Sequence, residues 1–326
     1  MADKVRIGFV GAGGIAQAHV DALSKVPDAE IVAITDVSRG AANALAEKTG
    51  AKAYDSAADL VKDSGAEALF ILLPPFAHGE AEQAALKARL PFFCEKPVGL
   101  DEGLLNEIAA EVEKQGLLTS VGYMNRYRQS VNRAKEILAD EPPILAFGGW
   151  WGGSPGVSPW WTNKSKSGGQ FHEQATHTVD IARYLFGEAV EVFAAAANGF
   201  NKGIPGYTMD DAVSVVIKFE NGGVANLMAS ASSNAGGSLF LDLHSLNHNF
   251  HFTEWNHNVV IKAKGGELEE IKGEEGIFSI EDAVFVAAVR SGDRSGIRST
   301  YADGVKTSLV SLASNRSLET GKPVSL

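Results

Sequence analysis

Apolar positions in the first third of the chain come in short runs separated by helical stretches. Residues 5–10 form an apolar run that stops at glycines, and residues 15–25 follow with helical spacing. A second β-rich run, 31–35, ends at Asp36, and 39–49 is alanine-rich and helical. Residues 68–73 predict a third strand, halted by Pro74-Pro75 before a helix over 78–88. Two more strands, 91–94 and 117–122, flank a helix over 104–114. Strands alternating with helices imply a parallel sheet with helices on both faces, a doubly wound domain over residues 1–122.

After Gly122 the period changes. Residues 144–151, 190–197, 212–219, 224–230, 240–246 and 258–264 are longer and more alternating, and Asn221-Gly222 reads as a hairpin turn. One strong helix, 170–186, interrupts them, and 304–318 reads as a terminal helix packing back near the first domain. Residues 123–326 are therefore expected to form an α+β domain around a large, mostly antiparallel sheet. The stretch 148–169, rich in Gly, Pro, Ser and Trp, reads as a functional loop.

Composition narrows the function. The 326 residues are 45% hydrophobic and 21% charged, an ordinary globular balance for about two domains. The single cysteine, Cys94, excludes an intramolecular disulfide and fits a cytoplasmic setting. A net charge of -11 without a long basic cluster argues against nucleic acid and anionic membranes as partners. Met1-Ala2-Asp3-Lys4 leads into an apolar run too short for a signal peptide, and no run approaches the roughly 18 residues of a membrane span.

Gly11-Ala12-Gly13-Gly14-Ile15-Ala16 matches G-x-G-x-x-G/A between a predicted strand and helix, the context a dinucleotide fingerprint requires. Gly11 permits the tight turn, Gly13 lets the backbone approach a pyrophosphate, and Ala16 allows close helix–sheet packing. Gly14 and Ile15 open the helix whose free N–H groups face an anion. Asp36, about 20 residues beyond, is placed to accept from ribose hydroxyls and favours NAD. Arg39 beside it leaves NADP as the alternative, by holding a 2′-phosphate.

Three further strings stand behind the fingerprint: Pro74-Pro75-Phe76-Ala77-His78, Glu95-Lys96-Pro97, and Gly168-Gly169-Gln170 leading into Glu173-Gln174-Ala175-Thr176-His177-Thr178-Val179-Asp180. They resemble the Gfo/Idh/MocA oxidoreductases, the family of glucose–fructose oxidoreductase and inositol dehydrogenase. Asp210-Asp211-Ala212 and the closing residues 317–324 also fit. The resemblance implies an N-terminal Rossmann domain and a C-terminal open sheet that carries the substrate site and assembles dimers or tetramers. It also implies substrates that are sugars, cyclitols or their derivatives.

Oxidising a secondary alcohol needs a base for the hydroxyl proton and a donor that stabilises the oxygen. Lys96 follows the end of a parallel strand, where ligands of such sheets gather, and Pro97 restrains its backbone to an extended form. Its ammonium is the expected hydrogen-bond donor to the substrate oxygen, or a proton relay. Glu95 is a candidate to orient it, and Pro74, His78, Glu95 and Lys96 are candidates for the cofactor side. Glu173, His177, Asp180 and Tyr184 recur at helical spacing as one polar stripe. His177 can act as base near neutral pH, and Asp180 can bind hydroxyls or orient the histidine. Glu173 is a third catalytic candidate, standing where inositol-dehydrogenase-like members commonly carry aspartate. Trp160-Trp161 are candidates to stack on a sugar face, and Tyr123 and Arg126 to contact substrate at the domain junction. No metal is expected. His172 and His177 stand five apart, roughly 140° around a helix, and cannot share an ion on one face. His244, His248, His251 and His257 read as sheet or interface residues, with His244 and His248 on one face of a strand and His251 facing away.

The reading is thus a cytoplasmic NAD(P)-dependent sugar or polyol dehydrogenase. Its rivals are an enzyme that cleaves glycosides through transient oxidation and a non-catalytic dinucleotide- or sugar-binding sensor.

Overall fold

The computed structural model describes residues 4–153, 158–201, 203–266 and 268–326. The start of the chain read above, Met1-Ala2-Asp3, and residues 154–157 of the glycine-rich loop lie outside the described residues. The chain divides into two compact units, Met1–Met124 with Gly276–Val305, and Asn125–Glu275 with Lys306–Leu326. The segment Gly276–Val305 thus belongs with the first unit, which a single cut after residue 122 does not capture.

The first unit runs β1 (Val5–Val10), α1 (Gly14–Leu23), β2 (Ala29–Thr35), α2 (Arg39–Thr49), β3 (Lys52–Tyr54), α3 (Ala57–Asp63), β4 (Ala68–Ile71), α4 (Glu80–Ala88), β5 (Phe92–Cys94), α5 (Glu102–Gln115) and β6 (Thr119–Val121). Its six strands pair in parallel in the order β3-β2-β1-β4-β5-β6. The order reverses at β1, and such sheets bind ligands beyond the carboxyl ends of the strands at that point. Strands β4, β5 and β6 are buried at every position, as expected of a parallel sheet covered on both faces. The sequence reading missed β3 and α3 because both are too short for a period to emerge. A local signal for α3 was present: Ser56 caps it, its hydroxyl accepting the Asp59 N–H at 3.0 Å.

The second unit runs α6 (Gln129–Asp140), β7 (Leu145–Gly153), α7 (Lys164–Ser167), α8 (Gln170–Glu173), α9 (Thr176–Phe186), β8 (Ala189–Ala197), β9 (Ala212–Phe219), β10 (Val224–Ser230), β11 (Ser233–His244), β12 (His248–Thr253), β13 (Asn258–Ala263) and β14 (Leu268–Ile271). Beyond it come α10 (Ile277–Ser291), α11 (Tyr301–Thr320) and β15 (Val324–Ser325). The first turn of α11 lies in the first unit and the remainder in the second. The nine-stranded sheet has the order β14-β13-β12-β11-β7-β10-β9-β8-β15 and is antiparallel except for the β7–β10 pair. Alternate residues of β9, among them Val213, Val215, Ile217 and Phe219, enter a core shared with Val179, Ala182 and Phe186 of α9. The open-sheet expectation holds on the exposed side, where Leu145 and Phe147 are 41% and 48% exposed. No helix among the described residues is long and apolar enough to cross a membrane.

Three expectations need correction. Helix α6 was absent from the reading because its apolar face is sparse, with Val131, Ala134 and Leu138 as its buried apolar residues. The single helix over 170–186 is two helices, α8 and α9. The break falls at Gln174-Ala175, where the Ala175 N–H reaches back to Gln170 O at 3.2 Å. Finally, His244 and His248 do not share a strand: the chain turns at 245–247, so they stand on the antiparallel strands β11 and β12.

Candidate active-site residues

In the first unit the glycine loop has the shape a pyrophosphate needs. Gly11 has φ +109°, and a Cβ there would lie 2.3 Å from the Leu72 carbonyl oxygen, so only glycine fits. Added Cβ atoms on Gly13 and Gly14 would meet no heavy atom within 4 Å, so the space above the start of α1 is open. Gly13 is the N-cap of α1 and carries no side chain, which leaves the first-turn N–H groups to an external anion. Ile15 contributes backbone there while its side chain packs against the core of the unit.

Asp36 is held in place by this loop. One carboxylate oxygen accepts the Ala12 N–H at 2.8 Å and the other the Ser38 N–H at 2.7 Å. A carboxylate has about four acceptor positions, so two remain for ribose hydroxyls. Arg39 is ion-paired with Asp55, with half of its side chain exposed. Val37, beside Asp36, is fully exposed, a placement that the sequence reading did not single out. These features fit NAD: a donor-rich helix start, a cradle that a Cβ would fill, and a fixed acid at the end of β2.

Lys96 follows β5 and is half-buried, and its bond to Pro97 is cis. Its N–H donates to Glu95 Oε2 at 3.0 Å. Glu95 is buried and does not face a cofactor as an open acid. Its Oε1 lies 3.1 Å from His19 Nε2, and His19 Nδ1 lies 2.9 Å from Asp282 Oδ1. His19 is wholly buried, with the rings of Phe70, Phe93 and Phe278 edge-on around it. Burial disfavours its charge, but Asp282 and Glu95 together outweigh that cost and raise its pKa to about 10. The sequence reading missed His19. Its signal was a histidine on the buried face of α1, beside Ala16 and Val20.

His78 is a correction among the cofactor candidates. Its Nδ1 lies 2.6 Å from Glu82 Oε1 and its Nε2 3.1 Å from Leu73 O, so both ring nitrogens serve the fold. Glu82 also accepts the Gly79 N–H at 2.6 Å, which caps α4. Cys94 lies beside this pair, and burial pushes its thiol well above the ordinary range. Pro74 is half-buried and extended before a turn at Pro75–Ala77. Tyr123 is 1% exposed, a buried ring rather than an open contact.

In the second unit His177 sits in the first turn of α9, beside two indoles that also touch each other. Its ring centroid is 6.4 Å from Trp150 and 6.1 Å from Trp255, and the two indoles are 5.7 Å apart, edge to face. Neither tryptophan was among the sequence candidates. Trp150 is legible in the alternation of β7, whereas nothing local marks Trp255. The candidates Trp160 and Trp161 stack on each other at 5.8 Å, and Trp161 Nε1 donates to Gln170 at 3.1 Å.

Asp180 and Arg126 neutralise each other, which narrows their expected substrate contacts. Arg126 donates from Nε to Asp180 Oδ2 at 2.8 Å and from Nη2 to Oδ1 at 2.6 Å, and Thr307 donates to Oδ1 at 2.9 Å. This buried bidentate pair fixes α9 to its surroundings. Tyr184 carries Lys135 and Arg126 over its ring face, and Glu173 is buried at the end of α8, one helix away from His177. The stripe drawn on one continuous helix is therefore split. His172 bonds Ser311 at 2.6 Å. His251 pairs with Asp242 across β11 and β12, and His257 is buried with its pKa lowered to about 4, mainly by that burial.

Comparison with known proteins gives a family match in each unit. Residues 5–123 match the family model "Oxidoreductase family, NAD-binding Rossmann fold", and residues 145–247 match the Gfo/Idh/MocA C-terminal domain model. The chain is 27% identical to scyllo-inositol 2-dehydrogenase (NAD(+)) of Bacillus subtilis across 100% of this chain and 97% of that one. It is 29% identical to myo-inositol 2-dehydrogenase of Thermotoga maritima over 224 residues, 67% of this chain and 66% of that protein. The matched stretch thus spans just under two thirds of the Thermotoga protein's length. Among solved structures, levoglucosan dehydrogenase in complex with NADH and levoglucosan aligns with a TM-score of 0.90 at 19% identity, covering 99% of both chains. At that identity the likeness speaks for the fold.

Proposed function

Because the chain belongs to the Gfo/Idh/MocA family of NAD-dependent oxidoreductases, we propose that it transfers a hydride between NAD and a secondary alcohol of a sugar or cyclitol. The observation that carries the reading is His177, a base set against a pair of indoles in the unit that matches the family's C-terminal domain. NAD supplies the hydride acceptor or donor at its nicotinamide ring. Gly13 and Gly14 hold the pyrophosphate, and Asp36 holds the adenosine ribose. His177 takes the hydroxyl proton, and the Lys96 ammonium polarises the oxygen as charge develops on it. Glu95, held by His19, orients the backbone from which Lys96 projects. The inositol dehydrogenases among its relatives support the substrate class.

The direct test is replacement of each residue. Lys96→Ala and His177→Ala are expected to keep NADH binding, read by fluorescence titration, and to lose turnover. If both turned over normally, the assignment would be wrong.

The same reading makes the protein a cytoplasmic homodimer or homotetramer without a nucleic-acid or membrane partner. Exposed Leu145, Phe147 and Leu268 on one side of the sheet support assembly through that surface. Light scattering at micromolar concentration checks it, and a monomeric mass would contradict it.

A further inference from the structure

The hairpin between β12 and β13 is built at unusual cost. Glu254 and His257 have φ of +63° and +51°, left-handed conformations that non-glycine residues seldom adopt. Asn256 O presses so close to Gly273 that a Cβ there would lie 1.6 Å from it. Strain of this kind persists only where surrounding contacts impose it. Those contacts are explicit. Arg128, fully buried, donates to the carbonyls of Trp255 at 3.2 Å and Glu274 at 2.6 Å and to Asn125 at 2.7 Å. His257 Nδ1 lies 3.1 Å from the same Trp255 carbonyl, and Asn258 bridges Glu254 at 2.9 Å and Gly273 at 3.0 Å.

What this framework fixes is the Trp255 backbone, and the residue stays 43% exposed. A large aromatic residue on this clamped turn keeps surface that a ligand can cover. Its neighbours are Trp150 at 5.7 Å and His177 at 6.1 Å. The arrangement is two indoles and one base, with the indoles inclined to each other by 65°.

We propose that Trp255, with Trp150, is a stacking wall beside the catalytic base that receives the C–H face of a ring-shaped polyol and so selects cyclic alcohols over open-chain ones. The inference rests on His177 as the base of the proposed reaction. A pyranose or cyclitol with mainly equatorial hydroxyls presents a flat patch of axial C–H groups, and the negative face of an indole attracts that patch. An open-chain polyol of equal hydroxyl count has no such face and must freeze several torsions to imitate one. Arg128 is a positioning residue: it holds the Trp255 carbonyl, and its effect reaches the ligand through the indole.

The test compares the holoprotein with NAD and its Trp255→Ala and Trp255→Phe variants on myo-inositol, methyl β-D-glucopyranoside and D-mannitol. The expected result is a ring-to-open-chain ratio of kcat/KM that falls about tenfold in Trp255→Ala and is mostly restored in Trp255→Phe. The loss should lie mainly in KM. An unchanged ratio, or an equal loss on ring and open-chain substrates, overturns the proposal. Saturation-transfer NMR on the NADH complex separates this claim from the wider one. Transfer to the axial ring protons of myo-inositol or the glucoside, weakened in Trp255→Ala, supports the wall even where turnover is absent, and then only the proposed reaction fails. No transfer to either ring compound from the wild type overturns the wall.

Discussion

The candidate sites of the two units are built by opposite means. The glycine loop of the first unit works with backbone: open space over Gly13 and Gly14, helix N–H groups, and one acid, Asp36, tied to Ala12 and Ser38. The second unit works with side chains brought from far apart. Trp150, His177 and Trp255 meet from β7, α9 and a hairpin, with Arg128 beneath one of them. A backbone cradle suits the invariant part of a dinucleotide, and a side-chain wall can be changed residue by residue to suit a substrate.

The contrast can be broken most severely on the side-chain half. Removing a positioned general base costs about 10²–10⁴ in rate. His177→Ala is therefore expected to lower kcat by about a thousandfold, measured by steady-state kinetics, while NADH still binds with wild-type affinity. Comparable turnover in the variant would remove His177 from the chemistry.

The cradle offers the complementary break. Gly13 has φ -79°, which any residue tolerates, and free space around its absent side chain. Gly13→Val is expected to fold with a Tm close to wild type and to weaken NADH binding about a hundredfold, because the added methyls occupy the pyrophosphate's place. Gly11→Val sharpens the point. At φ +109° and 2.3 Å from Leu72 O it should lose stability outright, so thermal unfolding distinguishes a shape glycine from a ligand glycine.

A smaller effect is expected at Asp36. Asp36→Asn removes the charge that repels a 2′-phosphate, and the NAD-to-NADP preference in kcat/KM should fall about tenfold. A preference that stays put would shift the discrimination to Arg39 and Asp55.

An effect on stability, with no change in ligand preference, concerns the buried support of Lys96. His19 has its pKa raised from 6.5 to about 10, so its contribution to stability is complete below pH 6.5 and is lost as pH rises toward 10. Over that window the folded state holds the proton that the unfolded state has released, and stability should decline by up to about 1.4 kcal/mol per pH unit. Urea midpoints between pH 7 and 10 should fall for the wild type and flatten in His19→Gln.

Legibility in the sequence follows the same division. Apart from β3, α3 and α10, the order of strands and helices in the first unit could be read, as could the fingerprint and Asp36, because each is local: a run, a spacing, an acid at a strand end. Glu95-Lys96-Pro97 was visible as a motif, but its supports His19 and Asp282 lie 76 and 187 positions away from Glu95, and only folding joins them. Trp160 and Trp161 drew attention as neighbours in a glycine-rich loop, yet they stack on each other. Trp255 carries no local mark at all. The stripe through Glu173, His177 and Asp180 assumed a continuous helix, and the break at Gln174-Ala175 depends on packing that no periodicity reveals.

The central claim is that this chain oxidises a ring-borne secondary alcohol with NAD, using His177 and Lys96. The most direct measurement is absorbance at 340 nm with NAD and a panel of cyclitols and pyranosides, run side by side on the wild type, His177→Ala and Lys96→Ala. The account predicts NADH formation with at least one ring polyol by the wild type and its loss in both variants. Equal NADH formation by all three proteins, or reduction only with open-chain polyols, would contradict it.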